Sequence, residues 1–171
     1  MRNRYLTALM LAPICTSSAW ALDGGTLRVT PRNGWQAFEI ISIGEDVPGD
    51  GFDWAMPGTF DGLGAWLPDN ETLRIQVNHE IFRATISEVN LDLNAFRQAI
   101  VNTIGAGDTG GLGFVASARR AYERWSPDGG TTWIDGDDRA DTDLTRFCSG
   151  HSDEPDTFGP GRGFVDHAYV N

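Results

Sequence analysis

No lysine occurs in the 171 residues: all 13 basic side chains are Arg, against 24 Asp and Glu, for a formal net charge of −11. Such an excess of negative charge repels nucleic-acid phosphates and anionic lipid, so nucleic acid is excluded as a partner and divalent cations are favoured. Long apolar runs are missing too. The one extended stretch, Tyr5 to Ile14, is shorter than the roughly 20 residues a helix needs to cross a bilayer, so no membrane insertion is expected. Cysteine is nearly absent, with only Cys15 and Cys148.

The start of the chain has the form of an export signal. Arg2 and Arg4 precede the apolar stretch, and Ala19-Trp20-Ala21 places small residues where a signal peptidase reads. Residues 1–21 are therefore expected to be a signal peptide, and 22–171 one secreted or periplasmic domain. Pro13-Ile14 does not suit a lipid-attachment signal, so Cys15 leaves with the leader. Losing Arg2 and Arg4 takes the net charge from −11 to −13. Cys148 then remains as a single thiol. Oxidising compartments normally pair their cysteines, so a thiol with no partner in its own chain is a candidate metal ligand or reactive group.

About 150 residues suffice for one core. They read as short strands broken by Gly, Pro, Asp and Asn turns, the pattern of an all-β sandwich, barrel or propeller. Strands are expected at Leu27–Thr30, Trp35–Ser42, Gly62–Trp66, Thr72–Asn78, Ala84–Leu91, Gly113–Ala118 and Gly163–Val170. In the fourth of these, Leu73, Ile75 and Val77 alternate with Arg74, Gln76 and Asn78, one set facing a core and the other water. Residues 44–61, rich in glycine, proline and acids, are expected at the surface or reaching into a site. Asn94 is placed to cap a helix through Ile104 whose Phe96, Ile100 and Ile104 share a face. The glycines of Gly105–Gly110 follow a helix and precede a strand, the reverse of the dinucleotide-binding order, which rejects a nucleotide site there. Ser126-Pro127-Asp128-Gly129-Gly130-Thr131-Thr132-Trp133 has the spacing of an Asp-box hairpin. In that motif the Ser and Asp side chains hold the turn backbone and glycine supplies positive φ, a structural role.

Two constellations carry potential chemistry. Asn78-His79-Glu80 sets an imidazole beside a carboxylate at a strand end. The bland alternative is an ordinary surface strand terminus. Cys148 lies among Asp137, Asp138, Asp141, Asp143, His151, Asp153, Glu154 and Asp156. Thiolate and imidazole suit iron or zinc, and carboxylates suit calcium. Taken alone, Cys148 reads equally as a small buried hydrophobe.

Phe60-Asp61-Gly62-Leu63-Gly64-Ala65-Trp66, then Val77-Asn78-His79-Glu80, then Arg146-Phe147-Cys148-Ser149-Gly150 resemble the N-terminal part of the PhoX-type alkaline phosphatases and their secreted relatives. The resemblance covers roughly Asp53 to Asn171. It implies a partial β-propeller, with antiparallel hairpins forming two to three blades, and a phosphomonoesterase centre holding iron and calcium. Cys148 would ligate iron, with Glu80 and Asp61 as further metal ligands. His79 and Glu80 would be the catalytic pair, and phosphate-ester small molecules the substrates. A propeller has typically 4 to 8 blades, so the chain reads as an incomplete first portion with an incomplete metal centre, inactive alone, with self-association through open strand edges expected. The competing reading is a non-catalytic secreted module binding calcium or glycans.

Overall fold

The computed structural model describes residues 32–35, 37, 39–103, 113–135, 144 and 146–170. The leader at 1–21, the strand Leu27–Thr30, Ile104, Gly105–Gly110 and Asp137, Asp138, Asp141 and Asp143 lie outside them. The described fold is all-β with one short helix. Its body is a four-stranded antiparallel sheet in sequence order, β1 (Phe60–Trp66), β2 (Thr72–His79), β3 (Thr85–Asp92) and β4 (Val115–Arg120).

Register follows the alternation. Leu73 faces Leu91 and Ile75 faces Val89 across β2 and β3, and Val89 faces Ala118 across β3 and β4. All of these therefore line one side of the sheet. Helix α1 (Leu93–Thr103) follows β3 directly and packs its Phe96 edge-on to Phe114, with centroids 5.0 Å apart. The cap is Asp92, not Asn94: Asp92 Oδ1 accepts the N–H groups of Asn94 and Ala95 at 2.9 and 2.8 Å. The last strand residue thus serves the first helical turn, and the helix starts one residue before Asn94.

Two expectations from composition fail. The described residues of Trp35–Ser42 form no strand, because no neighbour pairs with them; Ile40 and Ile41 instead both pack on the core from irregular chain. The segment 44–61 is not merely a surface loop. Val47 and Met56 are buried, Trp54 packs beside them, and its indole N–H donates to Ser87 Oγ at 2.9 Å. Paired backbone makes this burial affordable, since Gly44 N–H donates to Met56 O and Met56 N–H to Glu45 O, both at 2.8 Å. From the same segment, Asp50 accepts the N–H of Ala118 at 2.9 Å, placing a charge against edge strand β4.

The hairpin at 126–133 forms as its spacing implies, between β5 (Arg124–Trp125) and β6 (Ile134–Asp135). Ser126 Oγ accepts the N–H of Gly130 at 2.6 Å and Asp128 Oδ1 that of Thr132 at 2.7 Å. Gly129 and Gly130 take φ of 68° and 93°, where a side chain would be strained. The Thr132 N–H holds the Asp128 carboxyl below its ordinary 3.8. A depressed folded-state pKa gives stabilisation that is present above 3.8 and lost as pH falls through the folded value. An NMR titration should therefore find the Asp128 midpoint below 3.8, with Thr132 amide protection falling alongside it. A midpoint at or above 3.8 would contradict the hairpin geometry.

The remaining pairing joins β7 (His151–Asp153) to β8 (Ala168–Val170). The strand expected from Gly163 is thus shortened to its last residues, because the chain before it turns back on itself, with Asp156 N–H donating to Phe164 O at 3.1 Å. The four-stranded sheet has the strand content of one propeller blade. The other two sheets have two strands each and complete no further four-stranded blade among the described residues. No described helix is long and apolar enough to cross a membrane.

Candidate metal centre

The second face of the sheet is polar. Arg74, Gln76 and Asn78 of β2 oppose Asn90, Glu88 and Ile86 of β3, and Glu88 and Asn90 continue to Arg119 and Ser117 of β4. Arg74 donates to Asn90 Oδ1 at 2.9 Å and Asn90 to Ser117 Oγ at 3.0 Å, so the face is stitched across strands. Ribbon β7–β8 lies over its β1 side, where Gly64 leaves room for Ser152 and Tyr169.

The β1–β2 ladder is irregular where the site begins. Phe60 pairs with His79 and Leu63 with Val77, so three steps along β1 answer two along β2. This bulge sets Asp61 and Gly62 against Asn78 and re-aims the Asp61 side chain. Gly62 then serves as a seat: a Cβ there would collide with the backbone of Ser149 and Gly150, so only glycine lets the Cys148 loop lie this close. At Gly150 a Cβ would strike the Tyr169 hydroxyl.

The result is a cluster of three donors. Asp61, Glu80 and Cys148 each offer an atom, and these atoms all lie within 4.8 Å of one another. The carboxylates are half-buried and the unpaired thiol is exposed. Two left-handed residues frame it, Thr59 and Arg146, both at φ 53°, an unusual state for a β-branched threonine. Thr59 O accepts the Glu80 N–H at 3.0 Å, and the Cys148 thiol donates to Arg146 O at 3.5 Å. Desolvation, followed by the hydrogen bond to Glu80 and the charges of Glu80 and Asp61, pushes the thiol above its ordinary 9.0, against a weaker opposite pull from Arg146. Burial, and then the charge of Asp61, pushes the Tyr169 hydroxyl up to about 12. Desolvation leads in both shifts and the nearby carboxylates add to it; a cation would offset that negative charge while converting the thiol to thiolate.

The donor chemistry fits a transition metal. A soft thiolate beside two hard carboxylates suits iron or zinc, the carboxylates alone would suit calcium, and three protein donors leave coordination positions open.

His79 is placed differently from Glu80. Successive strand residues point to opposite faces, and His79 lies fully buried on the core side, with Nδ1 3.2 Å from Gly58 O, Nε2 2.8 Å from Ser87 Oγ, and the ring edge-on to Phe60. His79 thus packs from the core side of the strand and is not one of the three grouped donors. The acids after Cys148 do not join either. His151 pairs with Asp153 at 3.0 Å, Glu154 lies 3.8 Å from His167, and Asp156 accepts the Gly161 N–H at 3.0 Å. Tyr169, unmarked by any motif, stands beside the centre with its hydroxyl 3.1 Å from Gly62 O and 2.9 Å from Asn78 Oδ1. No protein-family model matches the chain, nor does any curated protein or solved structure.

Proposed function

We propose that Asp61, Glu80 and Cys148 hold a metal cation, and that the chain is exported and PhoX-like, of the β-propeller class that acts on phosphate monoesters. The observation carrying this reading is the convergence, from three separate segments, of two carboxylates and a thiol within 4.8 Å. The resemblance at Phe60–Trp66, Val77–Glu80 and Arg146–Gly150 supplies the reaction class. Iron, with calcium, is the metal set it implies.

A bound cation would supply Lewis acidity toward the phosphoryl oxygens. The chain's own residues supply the rest. Asp61 on β1 and Glu80 just past β2 fix two donor positions, and Cys148 adds the soft donor that discriminates a transition metal from calcium alone. Cation binding would release the thiol proton, which the exposed sulfur can give to solvent, leaving Glu80 ionised as a donor.

Metal analysis and hydrolysis of a chromogenic phosphate ester, in wild type and Cys148→Ala, test the reading. Wild type should carry iron, and any turnover of the ester would support the reaction class as well. The variant should fold normally while losing iron affinity by at least about tenfold, the scale of removing one donor interaction. Folded wild type that takes up neither iron nor calcium sinks the proposal, and a calcium-dependent rise in Tm without turnover favours the non-catalytic binding module.

A further inference from the structure

Each donor sits on a different piece of chain: Asp61 on the β1 bulge, Glu80 just past β2, and Cys148 on the loop before β7. Three donors on separate segments bind a cation tightly only if something holds those segments in register. Two side chains connect all three. The Tyr169 hydroxyl donates between the Gly62 carbonyl, next to Asp61, and Asn78 Oδ1, two residues before Glu80. Asn78 Nδ2 donates in turn to the carbonyl of Ser149, next to Cys148, at 2.5 Å. Asn78 is fully buried although its position in the alternation faces away from the apolar core.

We propose that Tyr169 and Asn78 form a clamp that sets the spacing of Asp61, Glu80 and Cys148, making both of them positioning residues for the cation. The inference rests on reading those three as metal ligands. Neither clamp residue is one of the three donors. Tyr169 comes from β8, so the ribbon β7–β8 becomes part of the site: its packing on the sheet and the spacing of the donors are one structural event. Cation binding should accordingly tighten the ribbon as well as the donor loop.

The test uses cobalt(II) as probe, because a cobalt–thiolate bond gives a charge-transfer absorption that reports the Cys148 contact directly. Titrations are made on wild type, Tyr169→Phe and Asn78→Ser, each below its own Tm and expressed per folded molecule. Tyr169→Phe keeps the ring and removes only the hydroxyl. It should weaken cobalt affinity by about 10- to 100-fold, the usual effect of deleting a group that orients a ligand, and should reduce the sulfur band per bound cobalt. A residue of purely structural importance would lower Tm and leave affinity and band per folded molecule unchanged; that result overturns the clamp. If Tyr169→Phe does not fold, Asn78→Ser decides by the same criterion. Wild type that binds cobalt without a sulfur band removes the metal-ligand reading itself, and the clamp with it. A sulfur band in wild type, equal in both variants, removes the clamp alone.

Discussion

Gly62→Ala is expected to lower stability by about 3 kcal/mol and to abolish cation binding, the upper end of what overpacking costs. The sign is not obvious, because Gly→Ala at an ordinary φ normally stabilises by roughly 0.4–1 kcal/mol through the unfolded state. Space decides it. The added methyl would meet the main chain of Ser149 and Gly150, which has no alternative rotamer to adopt. Either the bulge or the loop must shift, and Asp61 and Cys148, each one residue from the collision, then part. Gly58→Ala is the matched control, since a Cβ there meets nothing within 4 Å. Urea unfolding and cobalt titration of the two variants measure the contrast. A Gly62→Ala protein as stable as wild type, with its sulfur–cobalt band intact, would show that the loop does not rest on β1 as described.

Glu88→Ala is expected to destabilise the fold by about 3 kcal/mol while sparing the donors. Glu88 is 4% exposed, and its Oε1 accepts from Arg119 Nε and Nη2 at 3.0 and 2.9 Å, with Arg74 Nε 3.4 Å away. An exposed ion pair is worth about 0–1 kcal/mol, whereas removing one member of a buried pair costs about 3–5. Arg74 and Arg119 retain 27% and 39% side-chain exposure, so both can partly rehydrate, which places the loss at the lower end. Chemical denaturation measures it. A change below about 1 kcal/mol would mean that the network behaves as a surface pair.

Much of the sheet is legible from period two. Leu73, Ile75 and Val77 point to one side, and extending the same alternation one step places His79 with them and Glu80 opposite. The inward direction of His79 is thus readable from alternation alone. The hairpin at Ser126–Trp133 is legible because its bonds are local, spanning at most four residues. Residues 44–61 misled because average composition hides individual anchors; Val47, Trp54 and Met56 are few, but each reaches the core. Asp61, Glu80 and Cys148 were marked by the lone thiol and by resemblance. What brings them together was not marked: a bulge, a glycine seat, and a tyrosine whose partners lie 107 and 91 residues away. Contacts at that separation leave no pattern in a local window.

Thr59 and Arg146 each stand two places ahead of a donor and each holds the rare left-handed backbone. Such a conformation costs on the order of 1 kcal/mol or more and persists only where surrounding structure imposes it. Short peptides copying either stretch would relax to ordinary geometry and lose the spacing. The donor arrangement is consequently not portable: moving it to another scaffold requires carrying the bulge, the seat and the covering ribbon together, and drift in any one of them during evolution would be felt at the other two.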